Sequence, residues 1–268
     1  MQVFRIVHLA FNKKDKVPFK AYPPRPEHCL AFYPFDTEKV HYVEKNRTIE
    51  HLPVVLYGQH TEVTHRFIGH QFLVLQIVFS PGALYCLTGL PATELTNQYV
   101  DAELVFSSQL REVNEQLFYA QNYSAMIEIA ERFVTGFVKK QKKEVRPIDA
   151  VCKLLLNKEN KLSLDELASE ACLSTKQFER NFKERAGVNP KLYSRINRFD
   201  RAFRLKNNSP DSDWLTIALQ CGYQDYQHLA KEYRDFTGLS PVAFHQVENK
   251  APERVFGLSE NYYSQVIN

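Results

Sequence analysis

Leu167–Pro190 reads LASEACLSTKQFERNFKERAGVNP, and Ile217–Pro241 reads IALQCGYQDYQHLAKEYRDFTGLSP. Both begin with an aliphatic residue and Ala, then place an apolar residue five positions on. An apolar anchor follows (Phe178, Leu229), an aromatic four later (Phe182, Tyr233), Gly five after that (Gly187, Gly238) and Pro after three more (Pro190, Pro241). The second copy has one extra residue in its turn. Two copies at a period of about 50 residues are too few for a solenoid, so the pattern predicts a tandem pair of small helical modules.

Each copy follows the logic of helix, turn and second helix. In the first, Leu164, Leu167 and Ala168 share an inner face, with Ser163 as N-cap and Glu166 three residues on to complete a capping box. The turn falls near Cys172–Ser174, and Ser174 is placed to cap the next helix. That helix buries Phe178 and Phe182 at i and i+4, which leaves Lys176, Glu179, Arg180 and Lys183 on the other face. Gly187 and Gly238 tolerate the positive φ of a helix-terminating position. In the second copy Leu229 and Tyr233 point inward, while Gln227, His228 and Lys231, with Gln224, Tyr226 and Arg234 beside them, point outward.

Charge points the same way. Residues 1–138 hold 12 Lys and Arg against 14 Asp and Glu, whereas residues 139–250 hold 21 against 15. Lys176–Lys206 alone carries ten basic and three acidic residues, a surplus that attracts a polyanion such as the DNA backbone. A solvated helix face would also account for one such surface; two matched copies in a basic region favour base reading. Arg bridges guanine O6 and N7, Gln bridges adenine N6 and N7, and Glu accepts from cytosine N4.

The string STKQFERNFKERAGVNPKLYSRINRFDRA, followed by the second copy, resembles the paired helix-turn-helix domain of the AraC/XylS transcriptional regulators over about Ile148–Val247. The resemblance implies a bacterial regulator with a seven-helix unit whose modules are joined by a long helix, here about Pro190–Lys206, with Tyr193, Ile196, Phe199, Ala202 and Phe203 inward. It implies that the two second helices enter successive major-groove segments about one turn of DNA, ~34 Å, apart. Groove contacts then fall to Lys176, Glu179 and Arg180 and to Tyr226, Gln227, His228 and Lys231, and phosphate contacts to Lys183, Arg195, Arg198 and Arg234. RNA polymerase is an implied partner, and a homodimer is a family-level expectation. The chain departs from the family at Tyr233-Arg234, where Phe-Lys is usual, and at Cys172, where Gly is usual.

Upstream, short runs rich in aromatic and β-branched residues (PVVLYG, HRFIG, FLVLQIVF, ALYCL) between about Pro18 and Phe106 predict strands with short connections. After Ser107 the period turns helical: Leu110, Val113 and Leu117 mark one helix, and Met126, Ala130, Phe133 and Phe137 a second. KKQKKEVRP at 139–147 reads as a charged linker. The expected fold class is therefore α+β: a strand-rich N-terminal domain with following helices over 1–138, the linker, an all-α domain of two helix-turn-helix modules over 148–248, and a tail over 249–268. The stretch VFSPGALYCLTGLPATELTNQYVDAELVF resembles uncharacterised N-terminal domains attached to such regulators. A barrel pocket for a small-molecule effector and a core merely filled by aromatics both fit this half.

Other classes are disfavoured. The apolar stretch Phe72–Leu90 is broken by Gln76, Ser80, Pro81 and Gly82, short of the ~18 uninterrupted residues of a membrane span. The start lacks the basic-then-apolar pattern of a signal peptide, so a cytoplasmic protein is expected. Five cysteines form no C-x-x-C pair, as suits reduced thiols. No G-x-S-x-G, H-E-x-x-H, P-loop or dinucleotide fingerprint appears, so no enzyme and no cofactor is read. Seven of nine histidines precede residue 71, yet His60, His65 and His70 would alternate faces on a strand, which argues against a metal. Asp101 and Glu103 share a strand face without an evident partner. Two rivals remain: an enzyme or metal-binding domain fused to a DNA-binding unit, and a constitutive dimeric regulator without a ligand.

Overall fold

The structure is a computed structural model that describes residues 3–106, 109–157 and 162–257. Its first half is two antiparallel sheets. One, in the order β1 (Val3–Ala10), β8 (Gln71–Phe79), β3 (His28–Phe32), β6 (Val54–Tyr57), β9 (Tyr99–Asp101), faces a second in the order β2 (Lys20–Tyr22), β7 (Thr64–Phe67), β4 (Lys39–Tyr42), β5 (Arg47–Ile49). Two helices, α2 (Gln109–Phe118) and α3 (Tyr123–Val138), follow.

The five-stranded sheet is covered on both faces, which explains its unbroken apolar strands. Cys29, Ala31, Val55, Tyr57, Phe72 and Val74 pack toward Val40 and Tyr42 of the other sheet. Their alternate neighbours Leu30, Phe32, Val54, Leu56, Leu73 and Leu75 pack toward Leu110, Leu117, Met126 and Ala130 of α2 and α3. Period-two alternation of side chains thus feeds two cores from one sheet.

Three upstream readings need correction. Ala83–Thr88, which takes in ALYCL, is a helix, α1, and not a strand. It is bounded by Gly82 at φ 82° and Gly89 at φ 73°, and an apolar run of five residues does not reveal its period. Asp101 ends β9 and Glu103 lies in a 3₁₀ turn, Ala102–Leu104, where its N–H donates to the Asp101 side chain; the two do not share a strand face. Of His60, His65 and His70 only His65 lies on a strand. The strand β1, absent from the sequence reading, pairs with β8 along its whole length. No helix among the described residues is long and apolar enough to cross a membrane, and none of their His, Cys, Asp and Glu side chains form a group of three able to hold a metal.

The second half is all helix: α4 (Pro147–Leu154), α5 (Leu164–Glu170), α6 (Thr175–Ala186), α7 (Pro190–Asn208), α8 (Trp214–Gln220), α9 (Tyr226–Thr237), α10 (Pro241–Glu248) and a short α11 (Pro252–Val255). Ile148, Leu167, Ala168, Phe178, Phe182 and Tyr193 close the first module's core. Ile196, Phe199, Ile217, Leu229, Tyr233 and Phe244 close the second, to which the N-terminal domain contributes Ala21 and Val63. The α+β class with a helical C-terminal domain is thereby established. The tail beyond residue 257 and the first residues of the helix read from Ser107 lie outside the described residues.

The halves are docked through polar as well as apolar groups. Tyr193 Oη donates to the Pro26 carbonyl at 3.2 Å, and Thr96 Oγ1 donates to the Gly187 carbonyl at 2.9 Å. Arg25 stacks on the Tyr22 ring at 4.4 Å and approaches Asp200 of α7 at 3.8 Å. Between α3 and α4 the backbone N–H groups of Lys142 and Lys143 both donate to the Cys86 carbonyl of α1, at 3.0 Å each. The charged segment 139–147 is thus hung on the N-terminal domain.

Candidate nucleic-acid interface

The capping chemistry read from sequence sets where the two second helices begin. Ser163 Oγ accepts from Glu166 N–H while the Glu166 carboxylate accepts from Ser163 N–H, a capping box that holds Glu166 below the usual carboxylate range. Ser174 and Gln177 repeat the box at the start of α6. At α9 the Asp225 carboxylate accepts from His228 N–H, which lowers its pKa, and also meets His228 Nδ1 at 2.9 Å.

The turns explain the departure at Cys172. Cys172 has φ 55° and Gly222, at the matching place in the second module, has φ 83°. The turn demands the left-handed region that glycine enters freely and that costs other residues about 1–2 kcal/mol.

Lys176, Glu179, Arg180 and Lys183 are all exposed on α6, opposite the buried Phe178 and Phe182. On α9, Gln227, His228, Lys231 and Arg234 are exposed and Tyr226 is half-buried against the module core. Among the described residues, the ion pairs that touch α6 and α9 are those of Arg185, His228, Glu232 and Asp235; Lys176, Glu179, Arg180, Lys183, Lys231 and Arg234 enter none of them. The N-terminal domain touches α6 at its far end, near Ala186 and Gly187, and leaves the polar face open.

Arg195 and Arg198 have a different setting. Both project from α7 onto the buried carboxylate of Glu232 on α9: Arg195 Nε at 3.2 Å, and Arg198 through its own hydrogen bond. Arg195 also reaches Asp235, at 2.5 Å, and Arg198 stacks on Tyr223 at 4.4 Å. Tyr223 Oη completes the hub by donating to Glu232 at 2.7 Å; burial, then the neighbouring carboxylate, pushes that phenol well up. Burial works against the Arg198 charge, and the Glu232 hydrogen bond and carboxylate raise its pKa nonetheless. The hub ties the linking helix to the second reading helix. Sequence reasoning missed Glu232 because a lone Glu on a polar helix carries no sign that it is buried. Its spacing to Tyr233, one step from the inner face, is the only hint.

A second hub missed in the sequence lies under the first module. Arg185, at the end of α6, is 3% exposed, and its Nε sits 2.6 Å from Asp149 Oδ1 on α4. Its guanidinium lies 4.9 Å from the ring centre of Tyr85 on α1.

Comparison with known proteins agrees with this geometry. Residues 167–246 match the family described as "Helix-turn-helix domain". They form a helix-turn-helix domain of the AraC type. Residues 6–101 match a domain family of unknown function. The chain is 34% identical over 92 residues to the HTH-type transcriptional regulator ArgR of Pseudomonas aeruginosa, a match that covers 34% of this chain and 28% of that one. It is 29% identical over 96 residues to an uncharacterized HTH-type transcriptional regulator of Haemophilus influenzae, covering 35% of this chain and 32% of the other. The chain thus covers less than a third of the length of either curated relative. Among solved structures, apo ToxT from Vibrio cholerae overlaps 92% of this chain and 97% of its own at a TM-score of 0.49 and 12% identity, too distant to carry residue roles across.

Proposed function

We propose that this protein is a sequence-specific, double-stranded-DNA-binding transcription regulator of the AraC type, modulated by a small effector through its N-terminal domain. The observation that carries the reading is the pair of capped second helices, α6 and α9, that present exposed polar and basic faces from tandem modules of an AraC-type domain. Each fits a B-DNA major groove, ~12 Å wide.

In this reading Lys176, Glu179 and Arg180 meet base edges in one groove segment, and Tyr226, Gln227, His228 and Lys231 in the next. Lys183 and Arg234, which enter no ion pair among the described residues, take phosphates. Arg195 and Arg198 serve the backbone only while sharing their guanidiniums with Glu232. Phosphate contacts supply affinity through counterion release and the base edges supply choice. RNA polymerase and a second copy of the chain are the partners of a promoter-bound regulator. The N-terminal domain acts by favouring, when its ligand is bound, one arrangement of the two domains over another.

Selection of bound duplexes from a random library by the full chain, followed by mapping of occupied chromosomal sites, tests this. Two conserved half-motifs about one turn apart are expected. An unenriched library at moderate salt would remove the assignment. With a selected duplex, Arg180→Ala is expected to cost about 1–3 kcal/mol at a single base pair and to relax selectivity there.

A further inference from the structure

A cavity lies between the two sheets, with an apolar wall of Val7, Leu9, Ile68, Phe72 and Val74. Its polar lining includes Arg5, Lys20, Glu38 and Arg66, and Pro252 and Glu253 of α11 complete it. Arg66 is 2% exposed. Its guanidinium stacks 3.6 Å from the ring centre of Tyr22, and Nη1 donates to the Glu38 carboxylate at 3.3 Å, but Nε and Nη2 have no hydrogen-bond partner. Those two groups form one edge of the guanidinium, a pair of side-by-side donors that calls for an acceptor. A buried donor edge left without one is destabilising, because folding has taken it out of water.

Charge and space decide which acceptor fits. Each cation of the lining already faces a carboxylate: Arg5 faces Glu27 at 3.0 Å, Arg66 faces Glu38, and Lys20 faces Glu248 of α10 at 3.2 Å as well as Glu253. An added anion would be set among these carboxylates and repelled by them, so the free edge of Arg66 suits a neutral acceptor, a carbonyl oxygen. The cavity holds about 40 Å³. One water needs about 10–15 Å³ on the same measure, so a molecule of roughly four non-hydrogen atoms is the size that fits with every side chain in place. Glu38, an acceptor on the same lining, favours a ligand that also donates, and the apolar wall favours an alkyl group. A carbonyl oxygen, an N–H donor and a methyl group within that size make a short primary amide.

We propose that the inter-sheet cavity binds a short primary amide of the size of acetamide, with its carbonyl oxygen on the Nε–Nη2 edge of Arg66, and that this amide is the effector. The inference deepens the effector reading above and rests on it. The site can act on the DNA-binding domain because its lining comes from both halves of the molecule. β1, β7 and β8 supply Arg5, Val7, Arg66 and Val74, whereas Pro252 and Glu253 belong to α11, which follows α10. Just beyond α11, Phe256 packs on Phe11 at 4.7 Å. An occupant of the cavity touches both halves, and so favours the arrangement in which α11 is seated on the N-terminal domain.

The test uses the full chain and four molecules of nearly one shape: acetamide, acetone, urea and acetate. Titrations followed by the protein's amide resonances are expected to show saturable binding of acetamide, with a Kd no tighter than about 40 µM, the limit for four non-hydrogen atoms. Acetone lacks the donor and urea sets a second NH2 against the apolar wall, so each should bind at least about tenfold more weakly, and acetate should not bind. Acetamide should also slow amide exchange in α11. Two variants locate the site. Val7→Phe fills the apolar side of the cavity and leaves the Arg66–Glu38 pair untouched, and Arg66→Lys keeps a cation for Glu38 but removes the two-donor edge. Each should weaken acetamide at least about tenfold. Acetate binding as well as acetamide, or an acetamide affinity that neither variant changes, would overturn the site. So would the absence of acetamide binding to the parent, which would leave a water alone on the free edge. Affinity for a selected duplex is measured on the same preparations with and without acetamide, and a change is expected. If the duplex binds while acetamide fails or leaves that affinity unaltered, only this inference falls; if duplex binding itself is absent, the regulator reading falls.

Discussion

Arg185 Nε lies 2.6 Å from Asp149 Oδ1 with both side chains buried, so the last turn of the first reading helix is pinned to α4 directly beneath Tyr85 of the N-terminal domain. The same carboxylate accepts from Arg146 N–H at 2.8 Å, which joins the start of the DNA-binding domain to the pin. One ion pair therefore sets the axis of α6 relative to its own module and to the N-terminal domain.

Asp149→Ala strands the Arg185 guanidinium in a buried site. A broken buried pair of this kind costs about 3–5 kcal/mol, mostly because the remaining charge is uncompensated. Urea unfolding of the full chain is expected to show that loss. A change below about 1 kcal/mol would mean that Arg185 finds water or another acceptor.

Gly187 and Gly222 both have φ 83°, yet their surroundings differ. A Cβ on Gly222 meets nothing within 4 Å, whereas one on Gly187 would fall 2.8 Å from Thr96 Oγ1 and 3.1 Å from the Ala92 carbonyl. Gly222→Ala is expected to cost about 1 kcal/mol, the backbone term alone. Gly187→Ala should cost clearly more and should also weaken the docking of the N-terminal domain on α6, visible as faster amide exchange in the 3₁₀ turn Ala92–Leu95. Equal losses at the two sites would show that the interface yields without resistance. By the same logic Cys172→Gly should not destabilise the chain, since its φ of 55° already suits glycine.

These examples mark what the sequence made legible. Caps, anchors and helix ends of the two modules could be read because they depend on local rules: Ser163 and Glu166, Ser174, Phe178 and Phe182, Gly187 and Gly238 all sit where spacing placed them. The outward faces of α6 and α9 followed from those anchors. Arg185, Asp149 and Glu232 did not, because a buried ion pair needs two residues distant in sequence, and a charged side chain by itself reads as solvated. Helix α1 escaped for another reason: five apolar residues and a Thr between glycines satisfy strand and helix patterns equally. The strand β1 was invisible as a partner because its register with β8 spans some seventy intervening residues.

His28 gives the molecule an acid limit. It is buried at the domain interface with Nε2 3.3 Å from the Ala186 carbonyl, and burial, only partly offset by that hydrogen bond, depresses its pKa to about 4. His60, buried beside Arg66, is depressed to about 3 for the same first reason. Each imidazole is neutral when folded and takes up a proton near pH 6.5 when unfolded. The unfolded state therefore binds more protons below that pH, and stability is complete above about 6.5 and falls as the pH drops toward 4. At pH 5 the loss is about 2 kcal/mol per histidine. Urea midpoints at pH 7 and pH 5 for the parent and for His28→Gln check this. The variant should lose less on acidification, and an identical pH response would place the titration elsewhere.

Lys183 and Arg198 separate phosphate contact from internal support. Lys183 is exposed and enters no ion pair among the described residues, so Lys183→Ala should weaken binding to all duplexes alike and lower the slope of log affinity against log salt by about one unit, with the unfolding midpoint unchanged. Arg198 is half-buried on Glu232 and Tyr223, and Arg198→Met leaves that buried carboxylate with Arg195 and the Tyr223 hydroxyl alone. Its first effect should be on stability. α9 is held to α7 through the same carboxylate, so affinity should fall with little change in slope, because the reading helix shifts while the count of neutralised phosphates stays the same. If Arg198→Met instead lowers the slope by about one and leaves stability alone, the guanidinium belongs to the DNA backbone and the Glu232 pair is a resting partner that the duplex displaces.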